Sequence, residues 1–424
     1  MKKKSKSKSN KTNNSIIKDI KKLTSKVDLS KNKFNTIEMI LVFIMALVFG
    51  LLLGEMIFSG PSKTGSLTQT NDENIAEIKN VYNTITSEYI DGVSKEMVKK
   101  GAISGMMSVL GDDYSVYYDE KESSSFEEEV SGTFYGMGAE IYQDKDNNIV
   151  VNKVFKNSPA SKAGLKKGDI YLKINNKDIT NKTTEEVSKI VKGKNNNTFT
   201  LTVKRNDKAI NLKVTTAKVE IPSVTSRIIT EKDKKIGYIA ISIFASNTDE
   251  QFEKHLKKLD KQNISKLIID VRSNQGGELE TVINIASNFL KKENVIVQTE
   301  KDKKTTKIYS KKNSEKKYEI VVLINGASAS GSEVLASTLN ENCGAALIGT
   351  TTYGKGTVQK TKGLSNGTMI KYTTEIWKTS KGKAINKKGI EPTIKVELNK
   401  KYYETGSDKD DNQLQKAIEE ITKS

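Results

Sequence analysis

The chain has 424 residues, 70 Lys plus Arg against 52 Asp plus Glu, and a formal net charge of +18. A hydrophobic content of 35% supplies real cores, so wholesale disorder is excluded, and the length suggests two or three domains. One cysteine, Cys343, excludes a disulfide framework and any cysteine-cluster metal site, and one histidine, His255, excludes a poly-histidine metal centre.

Residues 1–36 hold twelve Lys and two Asp, so +10 of the charge sits in a Lys/Ser/Asn segment too polar to form a core. The other 388 residues carry +8, a modest excess that gives little reason to expect nucleic acid. Met39–Gly54 is uncharged, and with its apolar flanks the run 37–58 reaches about 20 residues, enough to cross a hydrocarbon core as a helix. The expectation is one transmembrane signal anchor over 37–58. The lysine-rich tail would stay cytoplasmic and the rest would lie outside a single-pass cell membrane. A Gly/Ser/Thr linker, 59–71, follows.

Residues 72–120 show helical spacing. Ile75, Ile78, Val81, Tyr82, Ile85 and Tyr89 mark one helix, and Val98, Ile103, Met106, Met107 and Leu110 a second. This N-terminal helical hairpin carries no chemistry and suits either packing or pairing into a homo-oligomer. Residues 126–217 alternate short strand-like runs with two short helix candidates, Pro159–Ala163 and Thr184–Val191, a small β-rich module. Residues 221–400 alternate strand and helix, which predicts an α/β core. The tail 401–424 ends in a helix over Asp411–Lys423.

Three segments of the α/β part carry chemistry. In Val321–Glu333 an apolar strand runs through Asn325-Gly326-Ala327-Ser328-Ala329-Ser330-Gly331 into a helix. A serine at such a turn is exposed and has N–H groups beside it, as a nucleophile requires, although a plain helix N-cap has the same pattern. In Thr352–Gln359, Lys355 lies between Gly354 and Gly356. The run from Gly349 to Lys355 fits the start of a phosphate loop, but Gly356 replaces the Ser or Thr, and strand rather than helix follows. A general-base lysine fits better. Its reference pKa of about 10.4 must fall by roughly 2–3 units through burial, and Gln359 could orient the amine without adding charge. His255 sits among charged neighbours on a helix and makes a poor base. In Leu267–Glu278 a buried strand ends at Gly276-Gly277, whose N–H groups could complete an oxyanion hole, or form an ordinary turn. Arg272 stands beside that glycine pair and needs a carboxylate that the sequence does not name.

The stretches LGDDYSVY (110–117), YGMGAEI (135–141), SPASKAGLKKGDI (158–170), GYIAISIF (237–244), IDVRSNQGG (269–277), NGASASGSE (325–333), YGKGTVQ (353–359) and GIEP (389–392) occur together and in order. On them the chain resembles the carboxyl-terminal processing peptidases, or tail-specific proteases. The resemblance implies a crotonase-like α/β serine peptidase core with an inserted PDZ domain. It implies Ser330 as nucleophile, Lys355 as base and Gln359 as third member, with Gly276 or Gly277 and the Gly331 N–H as oxyanion donors. Two positions depart from the family pattern: Gln275 stands where Pro is usual, and Gly331 where Ala is usual. Tyr135, Gly136, Met137 and Gly138 would form the carboxylate-binding loop of the PDZ domain, with Met137 suited to an apolar C-terminal residue. The expected activity is a membrane-anchored serine endopeptidase that trims protein substrates with apolar C-termini, without cofactor or metal. The alternative is a PDZ scaffold that binds tails without cutting them.

Overall fold

The computed structural model describes residues 73–193, 195–314 and 318–423. The chain divides into two compact units, residues 1–92 and 93–424. In the first, helix α1 (Glu73–Glu88) exposes Ile78, Val81 and Ile85, the spacing that marked it in the sequence. The readings made for 1–36, 37–58 and 59–71 fall outside the described residues. Among the described residues no helix is long and apolar enough to cross a membrane. The longest, α1, has 16 residues and carries Glu77 and Lys79. At 1.5 Å per residue it spans about 24 Å, short of the roughly 30 Å of a bilayer core. The expected transmembrane fold and the single-pass cell-membrane location are corrected accordingly.

The second unit begins with α2 (Lys95–Ser108), β1 (Val116–Tyr118) and α3 (Glu120–Ser131). A reciprocal capping box between Asp119 and Glu122 starts α3, and Gly132, at φ 66°, ends it in the left-handed conformation. The small β-rich module follows. It comprises β2 (Thr133–Gly136), β3 (Ala139–Gln143), β4 (Ile149–Val154), α4 (Pro159–Lys162), β5 (Ile170–Ile174), β6 (Lys177–Asp178), α5 (Thr184–Val191), β7 (Thr198–Arg205), β8 (Lys208–Thr215) and β9 (Ala217–Glu220). Its sheet runs β3-β4-β5-β7-β8, around a core that includes Ile149, Tyr171, Val187, Leu201 and Val214. Entry and exit strands β2 and β9 pair with each other, so the module is an insertion hung from one two-stranded stem.

The α/β part contains β10 (Val224–Glu231), β11 (Lys234–Ile241), α6 (Thr248–Asp260), β12 (Lys266–Asp270), α7 (Leu279–Ala286), β13 (Val295–Lys301), β14 (Lys304–Tyr309) and β15 (Glu319–Ile324). It continues with α8 (Gly331–Cys343), β16 (Ala346–Gly349), β17 (Thr357–Gly363), β18 (Met369–Lys378), β19 (Ile394–Lys395), α9 (Lys400–Thr405) and α10 (Asn412–Thr422). One sheet has the order β10-β11-β12-β15-β16-β19, parallel from β11 onward. Its central strands β11, β12, β15 and β16 are largely buried on both faces, which explains their apolar runs. Side chains alternate: Ile239, Leu267, Ile269 and Val322 meet α6, α7 and α8, whereas Ile268, Val321 and Leu323 meet Leu414, Ile418 and Ile421 of α10. A second sheet joins β1, β18, β13 and β14, with β17 also on β18. Periodicity missed this sheet's arrangement, because β1 and β18 lie some 250 residues apart and nothing local announces their pairing.

Helix α7 stops at Ala286, four residues before the apolar pattern does. There the Ser287 and Asn288 side chains hydrogen-bond back to the carbonyls of Ile283 and Asn284.

Candidate active site

Strand β15 delivers the chain to a turn over residues 325–330, and α8 leaves it. The two serines of this turn have different surroundings. Ser328 is fully buried, donates through Oγ to the Val271 carbonyl at 2.8 Å and accepts the Asn325 N–H at 3.0 Å. It is a brace of the turn. Ser330, the N-cap of α8, is held at φ 51° and ψ −112°. Such a backbone costs a non-glycine residue about 1–3 kcal/mol and persists where the surroundings enforce it, often at functional sites.

The enforcing group is Glu333, three residues on and fully buried. Its Oε2 accepts the N–H of Ser330 at 2.7 Å and that of Lys355 at 2.9 Å. Its Oε1 accepts the Thr352 hydroxyl at 2.6 Å and the Gly354 N–H at 2.7 Å. One carboxylate therefore ties the serine turn to the lysine loop. The GIEP stretch supports that loop from behind. The Thr352 N–H donates to the Ile390 carbonyl at 3.1 Å, and Lys387 N–H donates to the Gly354 carbonyl at 2.8 Å. On the other side the Trp377 indole donates to the Lys355 carbonyl at 2.8 Å.

The glycine turn of 273–278 packs on the serine. A Cβ at Gly276 would stand 2.8 Å from the Ser330 Cβ and 2.9 Å from the Gly331 nitrogen. The Gly276 N–H is already bonded to Asn274 Oδ1 at 2.9 Å. Gly277 bridges Phe244 through its neighbours, since Phe244 N–H donates to the Gly276 carbonyl and Glu278 N–H to the Phe244 carbonyl. Gly277 and Gly331 both line the cleft, and among the described residues neither N–H has a hydrogen-bond acceptor. Asn274, fully buried, anchors the whole turn: its amide also donates to the Ile241 carbonyl, and its own carbonyl accepts Ala329 N–H and Ser332 Oγ.

Ser330, Gly331, Lys355, Gln359, Gly276 and Gly277 all line one cleft of about 780 Å³. Burial, aided by the nearby Lys371 charge and opposed by Asp112 and Glu333, lowers the Lys355 amine from its ordinary 10.5 to about 8. Among the described residues the amine has no hydrogen-bond partner. It lies over the Tyr114 ring, 4.5 Å from the centroid. Gln359 donates instead to Thr357 Oγ1 at 2.8 Å and Thr373 Oγ1 at 3.1 Å. His255 is remote from the cleft, its Nδ1 2.7 Å from Ser226 Oγ on β10. Among the described residues no His/Cys/Asp/Glu group could hold a metal ion.

The four residues of the expected PDZ loop lie apart from this cleft. Tyr135 and Gly136 end β2, and Gly138 takes φ 78°. Met137 is buried in the module's core, with the Tyr171 hydroxyl 3.8 Å from its Sδ. Its side chain packs in that core.

Sequence reasoning passed over Glu333, Asn274 and Tyr114. A glutamate three residues after a serine at a helix start is a capping-box signal, so Glu333 was within reach. Nothing local marks the other two. Arg272 finds its partners in Asp270 beside it and Asp411 at the head of α10, each at 2.7 Å.

An inserted module on an α/β core, with a serine and a desolvated lysine in one cleft, defines a class of serine peptidase with a PDZ domain. The comparisons agree. Residues 235–396 match peptidase family S41, residues 136–216 match the PDZ domain, and residues 57–122 match the activating protease CtpB N-terminal domain. A CtpA-like serine protease of Staphylococcus aureus (strain bovine RF122 / ET3-1) is 36% identical over 341 residues, 80% of this chain and 68% of that protein. The carboxy-terminal processing protease CtpB of Bacillus subtilis (strain 168) is 35% identical over 336 residues, 78% of this chain and 70% of that protein. The solved structure of an S41 protease from Bacteroides fragilis NCTC 9343 shares the fold, with TM-score 0.50 and 16% identity over 82% of this chain and 97% of that one. The chain belongs to peptidase family S41 and is a CtpA/CtpB-like serine protease.

Proposed function

We propose that the chain cleaves protein C-terminal tails by a Ser330–Lys355 mechanism. The observation that carries this reading is the Glu333 bridge, which joins the two residues' backbones within one cleft while burial lowers the amine to about 8. With that value about one amine in ten is neutral at pH 7. Neutral Lys355 takes the Ser330 hydroxyl proton as Oγ attacks the scissile carbonyl carbon. The resulting oxyanion meets the N–H groups of Gly277 and Gly331. Collapse breaks the C–N bond, and Lys355 returns the proton to the leaving amine. Water, deprotonated by the same amine, attacks the acyl carbon, the C–Oγ bond breaks, and Lys355 returns the proton to Ser330 Oγ. Gln359 acts at one remove, bracing Thr357 and Thr373 beside the lysine.

The substrate class follows from the PDZ module. Strand β3 is the edge of its sheet, open to an added strand, and α5 lies next to it. An extended tail can pair with that edge while the loop 135–138 receives its terminal carboxylate. An apolar terminal residue suits the apolar Met137 of that loop.

The test uses residues 73–424 and an unstructured protein carrying an apolar C-terminal tail. Ser330→Ala and Lys355→Ala should each lower kcat at least ~10³-fold. Cleavage by Lys355→Ala near the wild-type rate would remove the dyad. Wild-type cleavage that ignores amidation of the substrate's C-terminus would remove tail recognition.

A further inference from the structure

Lys355 does not complete its own pocket. The wall over its amine comes from the segment Asp112–Tyr118, more than two hundred residues earlier in the chain. There the Tyr114 ring covers the Lys355 Nζ at 4.5 Å, and Tyr353, on the lysine's own loop, is near enough to raise the Tyr114 hydroxyl. The segment is fixed at both ends. Tyr114 N–H and Ser115 Oγ donate to the Asp112 carboxylate at 3.1 and 2.6 Å, and Thr373 N–H of β18 donates to Ser115 Oγ at 3.1 Å. Beyond it, Tyr118 and Phe126 stack with centroids 5.2 Å apart. Together they seat the Lys371 amine at 5.4 and 5.2 Å, on the same cleft.

We propose that Tyr114 is a positioning residue for the Lys355 amine, excluding water from it and aiming it into the cleft. The proposal rests on reading Lys355 as the base. The groups facing that amine are Asp112 and Tyr114 from this segment, Glu333 from α8 and Lys371 from β18. Asp112 and Glu333 favour the charged amine, and so does the ring face itself. The amine is nevertheless low because desolvation outweighs them, with Lys371 adding repulsion. The aromatic ring contributes to both sides, and on this proposal its exclusion of water is the larger effect. Tyr114 itself stays protonated, since burial first and the neighbouring Tyr353 second push its hydroxyl up to about 12.

The experiment measures the pH dependence of Lys355 acetylation by acetic anhydride, read by peptide mass, in the wild type, Tyr114→Phe and Tyr114→Ala. It also measures the acid limb of kcat/KM and the thermal unfolding of each. Tyr114→Ala should move both the amine titration and the limb upward by about one pH unit, lowering activity at pH 7 roughly tenfold. Tyr114→Phe keeps the ring and should leave both in place. A limb unmoved in a folded Tyr114→Ala, at whatever activity, would overturn the proposal, as would equal shifts in Phe and Ala. The acetylation readout needs no catalysis, so failure of the dyad reading would show separately as an active Lys355→Ala.

Discussion

Ser330 and Lys355 donate their main-chain N–H groups to the same oxygen, Glu333 Oε2, at 2.7 and 2.9 Å. The relative position of nucleophile turn and base loop is therefore set by one carboxylate rather than by side-chain contact between the two residues. A charge-assisted acceptor with four donors suits this task, since such bonds are short and about twice as strong as neutral ones.

Glu333→Gln replaces two equivalent acceptor oxygens by one acceptor and one donor, so two of the four buried donors lose their partner. Stability should fall by roughly 2–4 kcal/mol in urea titration, with kcat falling more than KM rises. Unchanged kcat in a folded variant would show that the bridge holds the fold but not the catalytic geometry.

Activity should rise with pH through about 8, where the Lys355 amine loses its proton. The sign follows from the mechanism: only the neutral amine accepts the serine proton. Below the limb kcat/KM should drop about tenfold per pH unit. A limb near 6.5 instead would point to an imidazole.

His255→Gln should leave kcat/KM within about twofold, because the imidazole bonds to Ser226 and burial, with Lys258 and Lys254, keeps it below its ordinary value. A lost general base typically costs 10²–10⁴. A loss of that size here would exclude the lysine mechanism.

Arg272 clasps Asp270, next to the glycine turn, to Asp411 at the start of α10. Burial opposes the charge, but Asp411 and Asp270 hold the guanidinium above its ordinary value. Arg272→Met would strand two buried carboxylates and should cost about 3–5 kcal/mol in chemical denaturation. A cost below about 1 kcal/mol would mean that α10 is held by its apolar face alone.

The parallel strands and their helices could be read directly, because strands buried on both faces are continuous apolar runs and the helices between them keep a 3.6-residue stripe. The PDZ insertion was visible for a related reason: its turns carry Asn pairs, and Asn147, Asn175 and Asn176 adopt positive φ. Composition was less dependable. The uncharged run from which a membrane-crossing helix was expected lies outside the described residues, and among those no helix is long and apolar enough to cross a membrane.

The residue types and spacing of Ser330, Gly276-Gly277 and Lys355 are local facts, and sequence alone was enough to nominate them. Sequence could not choose between the two glycines, because the choice depends on which N–H is already satisfied. Asn274 occupies that of Gly276, and among the described residues Gly277's has no acceptor, which favours Gly277 in the proposed mechanism. Nor could it supply Arg272's partner in α10 or the Tyr114 ring over Lys355, since these contacts span roughly 140 to 240 residues of chain. Long-range polar and aromatic pairings leave no periodic trace. They are set only when sheet order brings distant segments together, and that same closure removes the water that would keep the lysine charged.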